Sequence, residues 1–244
     1  MKKIISILSV ITLLSACKEK KSFTLSGHVD GLKKGTLFLQ KMKDTLIVNL
    51  DSIQINGDAN YHLTTNLKEP RLLFLYLDKI DGDKNDDIID FFAEPGEMTL
   101  NTSLDNFELD VKITGSENQI RWEKYQEILK QFNANSLELI QENFEAHKNK
   151  DSTAIAASRK KYENLLKRKY LYTVNYAIGN KDYAIAPFLA LTEIYDANIK
   201  YLDTIYSALD KPIKKSIYGK ELKKYIKGRK KEEKLADKVI EKRS

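Results

Sequence analysis

Thr114-Gly115-Ser116-Glu117-Asn118-Gln119-Ile120 is the stretch that divides this 244-residue chain into two kinds of structure. Before it, apolar residues alternate with polar ones; after it, they recur at helical spacing. Gly115 suits the end of a strand. Ser116 with Gln119 three residues later has the form of a capping box, in which a side-chain oxygen takes up an otherwise orphaned helix N–H. From there Ile120, Trp122, Tyr125, Ile128, Leu129 and Phe132 fall on one helical face. The predicted class is therefore α+β: an antiparallel β-sandwich or open barrel, followed by an all-helical segment.

Working back from Gly115, Phe23, Leu25, Gly27 and Val29 lie on one side of a first strand and Thr24, Ser26 and His28 on the other. Gly31 and Gly35 bracket a turn into a second strand, Thr36 to Lys41, and Leu46 to Ile55 forms a third. Asn56-Gly57-Asp58 is a hairpin signal, because these residues tolerate positive φ, and Tyr61 and Leu63 continue on the return strand. Leu72 to Leu77 and Ile88 to Phe92 are denser apolar runs, which predicts central strands buried on both faces. Pro95-Gly96 leads into Met98 to Thr102, and a last short strand runs near Leu109 to Thr114.

Working forward, a second helix is predicted from Ser136 to Lys148, burying Leu137, Ile140 and Phe144, and Asp151 caps a long third helix to Ile178. Gly179-Asn180 stops it. Ala184 to Tyr195 is a further helix with Pro187 in its opening turn. Asp203 is placed to cap Thr204 to Leu209, and Pro212 opens a helix to Ile226. Ten of the thirteen tyrosines lie beyond residue 160, at spacings that suit packing between helices.

The amino terminus reads as an address. Lys2 and Lys3 precede an apolar run of about eleven residues, Ile4 to Leu14, well short of the roughly 20 needed to cross a bilayer. Small residues then precede Cys17, the only cysteine. Leu14-Ser15-Ala16-Cys17 resembles the lipobox of bacterial lipoproteins, which implies cleavage before Cys17 and acylation of that residue. Residues 1–16 are then a signal peptide and 17–22 a lipidated tether. Several acyl chains, at about 0.8 kcal/mol per buried methylene, anchor a protein stably to a membrane. Acylated Cys17 leaves no thiol for a disulfide, a thiolate metal site or a cysteine nucleophile.

The net charge of +6 is unevenly placed. The leader holds two lysines, and Lys220 to Ser244 holds eleven Lys/Arg against five Asp/Glu, so the body between is about −2. The high pI describes a tail rather than a nucleic-acid surface.

Several segments resemble the N-terminal domain of unknown function (DUF4369-like) of Bacteroidetes lipoproteins. The matching residues are Gly31-Leu32-Lys33-Lys34-Gly35-Thr36-Leu37-Phe38-Leu39, Asp51-Ser52-Ile53, Phe91-Phe92-Ala93-Glu94-Pro95-Gly96-Glu97-Met98 and Thr114-Gly115-Ser116-Glu117-Asn118. Ile217-Tyr218-Gly219-Lys220-Glu221-Leu222 resembles the helix that, in that family, leads into a thioredoxin-like or peroxiredoxin-type (AhpC-TSA) domain. The resemblance implies a β-rich domain over 23–115 and a helical segment over 116–226. A basic charged tail occupies 227–244. This sequence holds no Cys-x-x-Cys pair, so the relatives' redox activity does not carry over, and the expectation is the accessory region alone.

Candidate sites are few. Asp81, Asp83 and Asn85 mimic positions 1, 3 and 5 of a calcium loop, but Asp86 and Phe92 stand where glycine and a bidentate glutamate belong, so a solvated acidic loop is the plainer reading. His28, His62 and His147 have no metal-ligand spacing, no nucleophile elbow or phosphate-cradling loop is present, and no cofactor is implied. Lys230, Lys234, Lys238 and Lys242 repeat at i, i+4, beside a stripe of Leu235, Ala236, Val239 and Ile240. They would line a solvated, partly frayed helical end or a contact helix for an anionic membrane or a partner. The expected function is that of a non-enzymatic, lipid-anchored envelope module, accessory to a separate thioredoxin-like protein. A truncated structural remnant of an oxidoreductase lipoprotein is the alternative, and a hydrolase with an unrecognised site the third. Lys18-Glu19-Lys20-Lys21 lacks the acidic run that resembles a surface-export signal, which points to the periplasmic face of the outer membrane.

Overall fold

The computed structural model describes residues 22–79 and 87–241. Among the described residues, eight strands precede Gly115: β1 (Ser22–Asp30), β2 (Lys34–Lys43), β3 (Leu46–Asn56), β4 (Asn60–Asn66), β5 (Arg71–Asp78), β6 (Ile88–Ala93), β7 (Gly96–Ser103) and β8 (Lys112–Thr114). They form two four-stranded sheets in the orders β4-β1-β7-β8 and β3-β2-β5-β6, a sandwich. Pairing is antiparallel except between β1 and β7. The inner faces meet in a core of fully buried Phe23, Leu25, Leu37, Leu39, Leu73, Leu75 and Phe91, the alternating positions read from the sequence. Gly27 is required by a close approach: a Cβ there would lie 1.7 Å from the Leu100 carbonyl oxygen of β7.

Three strand expectations are corrected. Asn56-Gly57-Asp58 does turn the chain, with Gly57 at φ +97°, but β3 pairs with β2 and β4 with β1, so the turn passes between sheets instead of closing a hairpin. Both strands bury their apolar side chains in one core from opposite layers, which a ladder between them would prevent. The apolar run Ile88 to Phe92 is an edge strand, not a central one. Its second apolar face is covered by helices: Phe92 packs with Trp122, Phe188 and Tyr218. The strand expected from Leu109 shortens to Lys112–Thr114.

The helices are α1 (Glu117–Lys148), α2 (Ser152–Gly179), α3 (Ile185–Thr192), α4 (Ile199–Ala208), α5 (Lys211–Lys215) and α6 (Ile217–Glu241). Ser116 caps α1 as expected, its Oγ accepting from the Gln119 N–H at 2.9 Å. The two helices predicted over 116–148 are one continuous 32-residue helix, because nothing between Phe132 and Ser136 breaks the ladder. Leu137, Ile140 and Phe144, expected to be buried, are exposed. Asn198, not Asp203, caps α4, accepting from the Lys200 N–H at 3.0 Å. The helix opened by Pro212 breaks at Ser216, and its continuation runs through Ile226 to Glu241. Gly219 permits that break, since a Cβ would meet the Ile213 carbonyl oxygen at 2.0 Å.

Sandwich and helices are fastened by polar groups as well as aromatic rings. Gln119 Oε1 accepts from the Phe92 N–H of edge strand β6 at 2.7 Å, and Tyr218 Oη accepts from the Leu72 N–H at 3.0 Å. Glu94 Oε1 accepts from Ser116 Oγ at 2.9 Å and Asn118 Nδ2 at 2.7 Å, while Asn118 Oδ1 accepts from the Ile185 N–H. Backbone donors that an exposed edge would offer to a passing strand are thus paired internally.

Candidate functional site

Helices α1 and α2 form an antiparallel pair with two unlike halves. Near the sandwich, Tyr125 stacks on Trp122 and Tyr172, and its hydroxyl lies 2.8 Å from Thr173 Oγ1. Burial pushes that phenol's pKa above its ordinary range. The distal half is held by a thin seam of small and polar residues: Ala146, Ser158, and Asn143 Nδ2 donating to Ser158 Oγ at 2.7 Å. Asp151 Oδ1 accepts from the Thr153 and Ala154 N–H groups, fixing the turn between the helices. The buried residues through which α2 meets the remaining helical core, Val174 and Ala177, lie at its far end. The distal half therefore projects as a two-helix arm.

One face of this arm is apolar. Leu137, Ile140 and Phe144, at i, i+3 and i+7, are 67%, 54% and 67% exposed. A groove of about 410 Å³ runs beside them, lined by Leu139, Ile140, Asn143 and His147 from α1 and Ile155, Ser158, Arg159 and Tyr162 from α2. Beyond Tyr162 a smaller hollow continues along Phe132, Ser136 and Leu166. A rotation of roughly 100° per residue places Glu138, Glu142 and Glu145 on the other side of α1. There Glu142 pairs with Lys161 at 2.8 Å. Arg159, at the rim and 3.8 Å from Glu163, brings the one guanidinium to a groove that no carboxylate lines, and its chemistry is that of a helix interface lacking its third member.

The residues singled out in the sequence do not converge on it. Cys17, Asp81, Asp83, Asn85 and Lys242 lie outside the described residues, as does the side chain of Lys238. Lys230 is engaged with Asp203 of α4, and Lys234 is exposed on α6. His28 meets Asn60 at 3.0 Å and His62 meets Ser26 at 3.1 Å on the outer face of the first sheet, while His147 lines the groove. The groove does not show in the sequence, because helical spacing marks which face of a helix is apolar and not whether that face is buried. The readable sign was the seam itself, where Ser136, Asn143, Ala146 and Ser158 are too small or too polar to make a strong core.

Residues 23–122 match the family model of a domain of unknown function, DUF4369. The sandwich is DUF4369-like. The matched stretch enters α1 far enough to take in Ser116, Asn118, Gln119 and Trp122, the residues that fasten sheet to helix. The arm lies beyond the DUF4369 match. No curated protein matches the chain.

Proposed function

We propose that this protein is a lipoprotein of the bacterial cell envelope, held at the membrane through Cys17, that acts without catalysis of its own as an interaction module. Its binding element is the α1/α2 arm. The observation that carries this reading is the row Leu137, Ile140 and Phe144, exposed beside an apolar groove on an antiparallel helix pair. An apolar patch of this kind marks a contact surface. Two antiparallel helices with an open groove accept the apolar face of an amphipathic helix, completing a three-helix bundle. The occupant is such a helix on another envelope protein, with a separate thioredoxin-like protein as the candidate by analogy with domain fusion. The site of residence is the periplasmic face of the outer membrane.

The test joins address and surface. Cys17→Ser should shift the protein from the membrane to the soluble fraction. A photo-crosslinking residue placed at Ile140 should capture one specific envelope protein, and the same residue at Glu142, on the opposite face, should not. Membrane retention of Cys17→Ser, or equal capture from both positions, would refute the corresponding half of the proposal.

A further inference from the structure

The sandwich carries a second exposed apolar feature at one end. β2 pairs with β5 only from Thr36 to Gln40, carries a bulge against β3 at Leu39/Gln40, and from Lys41 continues with β3 alone. Lys41 to Val48 is therefore a two-stranded ribbon extending past the β2–β5 ladder. Met42 and Ile47 face each other across it, and Leu46 stands opposite Lys43. Met42, Leu46 and Ile47 are 53%, 69% and 57% exposed. An isolated two-stranded ribbon gains nothing from apolar residues at its tip unless something covers them.

Topology says where this tip lies. β1 runs from Ser22 to Asp30, and the short turn after it sends β2 back in the opposite sense in the facing sheet. The start of β1 and the end of β2 are therefore at the same end of the sandwich. An independent path agrees: Ser22 pairs with Asn66 at the end of β4, and the 67–70 connection then enters β5 at Arg71, on the ribbon side of its ladder with β2. Cys17 is five residues before Ser22, a reach of at most about 18 Å. The anchor reading thus brings a bilayer surface up to the end that bears the ribbon.

We infer that the β2–β3 ribbon is a second membrane contact, with Met42, Leu46 and Ile47 dipping into the headgroup–acyl boundary beside the acylated Cys17. This rests on the anchor proposed above. Lys41, Lys43 and Lys68 at the same end face lipid phosphates; of the carboxylates there, Glu69 and Glu94 accept from the Ile217 and Asn118 N–H groups, Asp44 stands at the ribbon turn and Glu97 is exposed at the start of β7. The acyl chains supply the affinity, and the ribbon fixes the orientation, so that one end of the sandwich meets the bilayer and the opposite end is held away from it. Apolar groups of this number bind a membrane weakly alone and act when a lipid holds them there.

The test uses the full acylated chain, purified from membranes and reconstituted in phosphatidylethanolamine–phosphatidylglycerol vesicles that contain a nitroxide-labelled lipid. Acylated Cys17 has no free thiol, so Leu46→Cys or Leu109→Cys takes a single fluorescent label. Leu109 is exposed in the turn after β7, at the opposite end of the sandwich. The label at position 46 should be quenched at least about threefold more than that at 109, as expected for a tip seated in the boundary region. Equal quenching on fully vesicle-bound protein would overturn the ribbon contact and leave the anchor standing. The mass of the N-terminal peptide reports acylation separately; an unmodified Cys17 would sink both. Both positions are solvent-exposed, so neither label burdens the fold.

Discussion

The sandwich and the arm use apolar residues at similar density and to opposite ends. In the sandwich every inward position has a facing layer: Phe23 meets Phe91 at 6.3 Å between ring centres, and both are fully buried. In the arm the seam consumes Ala146, Ser158 and Asn143, while Leu137, Ile140 and Phe144 are left facing outward. The difference teaches that periodicity reports which face of an element is apolar, not whether the chain itself supplies the cover. A sheet within a sandwich brings its own second layer. A helix pair at the edge of a fold does not.

The sharpest way to break this contrast is to truncate the core. Phe91→Ala should cost about 3–5 kcal/mol in urea unfolding, the usual penalty for a large buried aromatic. A loss under about 1 kcal/mol would mean that the sandwich is no better packed than the arm. Next comes alkaline pH. Burial raises the phenol pKa of Tyr61, whose hydroxyl donates to the Leu100 carbonyl at 2.7 Å, and that of Tyr125. In the unfolded chain both ionise near pH 10, so the unfolded state holds fewer protons than the folded one above that pH. Stability should be undiminished below pH 10 and fall steadily above it. Urea midpoints measured across pH 9 to 12 should show this slope, and Tyr61→Phe should flatten part of it.

Much of the fold was legible for the same reason the core is strong. Alternation marked Phe23, Leu25 and Val29, and Leu37 and Leu39, because one face of each strand is buried and a one-residue slip would expose it, and the dense apolar run Leu72 to Leu77 marked a central strand. The Ser116 cap was legible because it is local chemistry. What escaped depended on partners distant in sequence. Ile88 to Phe92 looked central, since a strand flanked by sheet and one covered by helices show the same apolar run. Asn56-Gly57-Asp58 encodes a reversal and says nothing about which sheet receives the next strand. Asp203 and Asn198 are both good cap residues, and helix packing decides between them. Of the candidate site, the residue types were visible but their exposure was not, because the seam of small residues had to be set against the apolar row beside it.

The join between the two regions offers an intermediate effect. Gln119→Ala removes the acceptor from the Phe92 N–H on a covered edge, where water does not readily replace it. The expected cost is about 1–3 kcal/mol, with faster amide exchange at Phe92 and none of that change at Phe91. If exchange at both residues were unaltered, the polar fastening would be incidental to the aromatic contact. A smaller effect belongs to the α4 cap. Asn198→Ala should lose about 1 kcal/mol, whereas Asp203→Ala, which gives up only a partly exposed ion pair with Lys230, should lose less than about 0.5 kcal/mol.

The smallest expected change in stability is the most informative. Leu137→Ser with Phe144→Ser removes two large side chains from the arm, yet both point to solvent and neither lines the seam. Their loss should therefore shift the urea midpoint by no more than the equivalent of about 0.5 kcal/mol. Serine has modest helix propensity, so any residual cost would come from the helix itself and not from packing. The same double variant should abolish capture of a partner by a photo-crosslinker at Ile140. Instability comparable to that of Phe91→Ala would show that these residues pack within the chain, erasing the contrast between the regions. Unaltered stability with undiminished capture would leave the row exposed but idle. Only unaltered stability with lost capture separates a surface kept apolar for a partner from one whose apolar residues the fold merely tolerates.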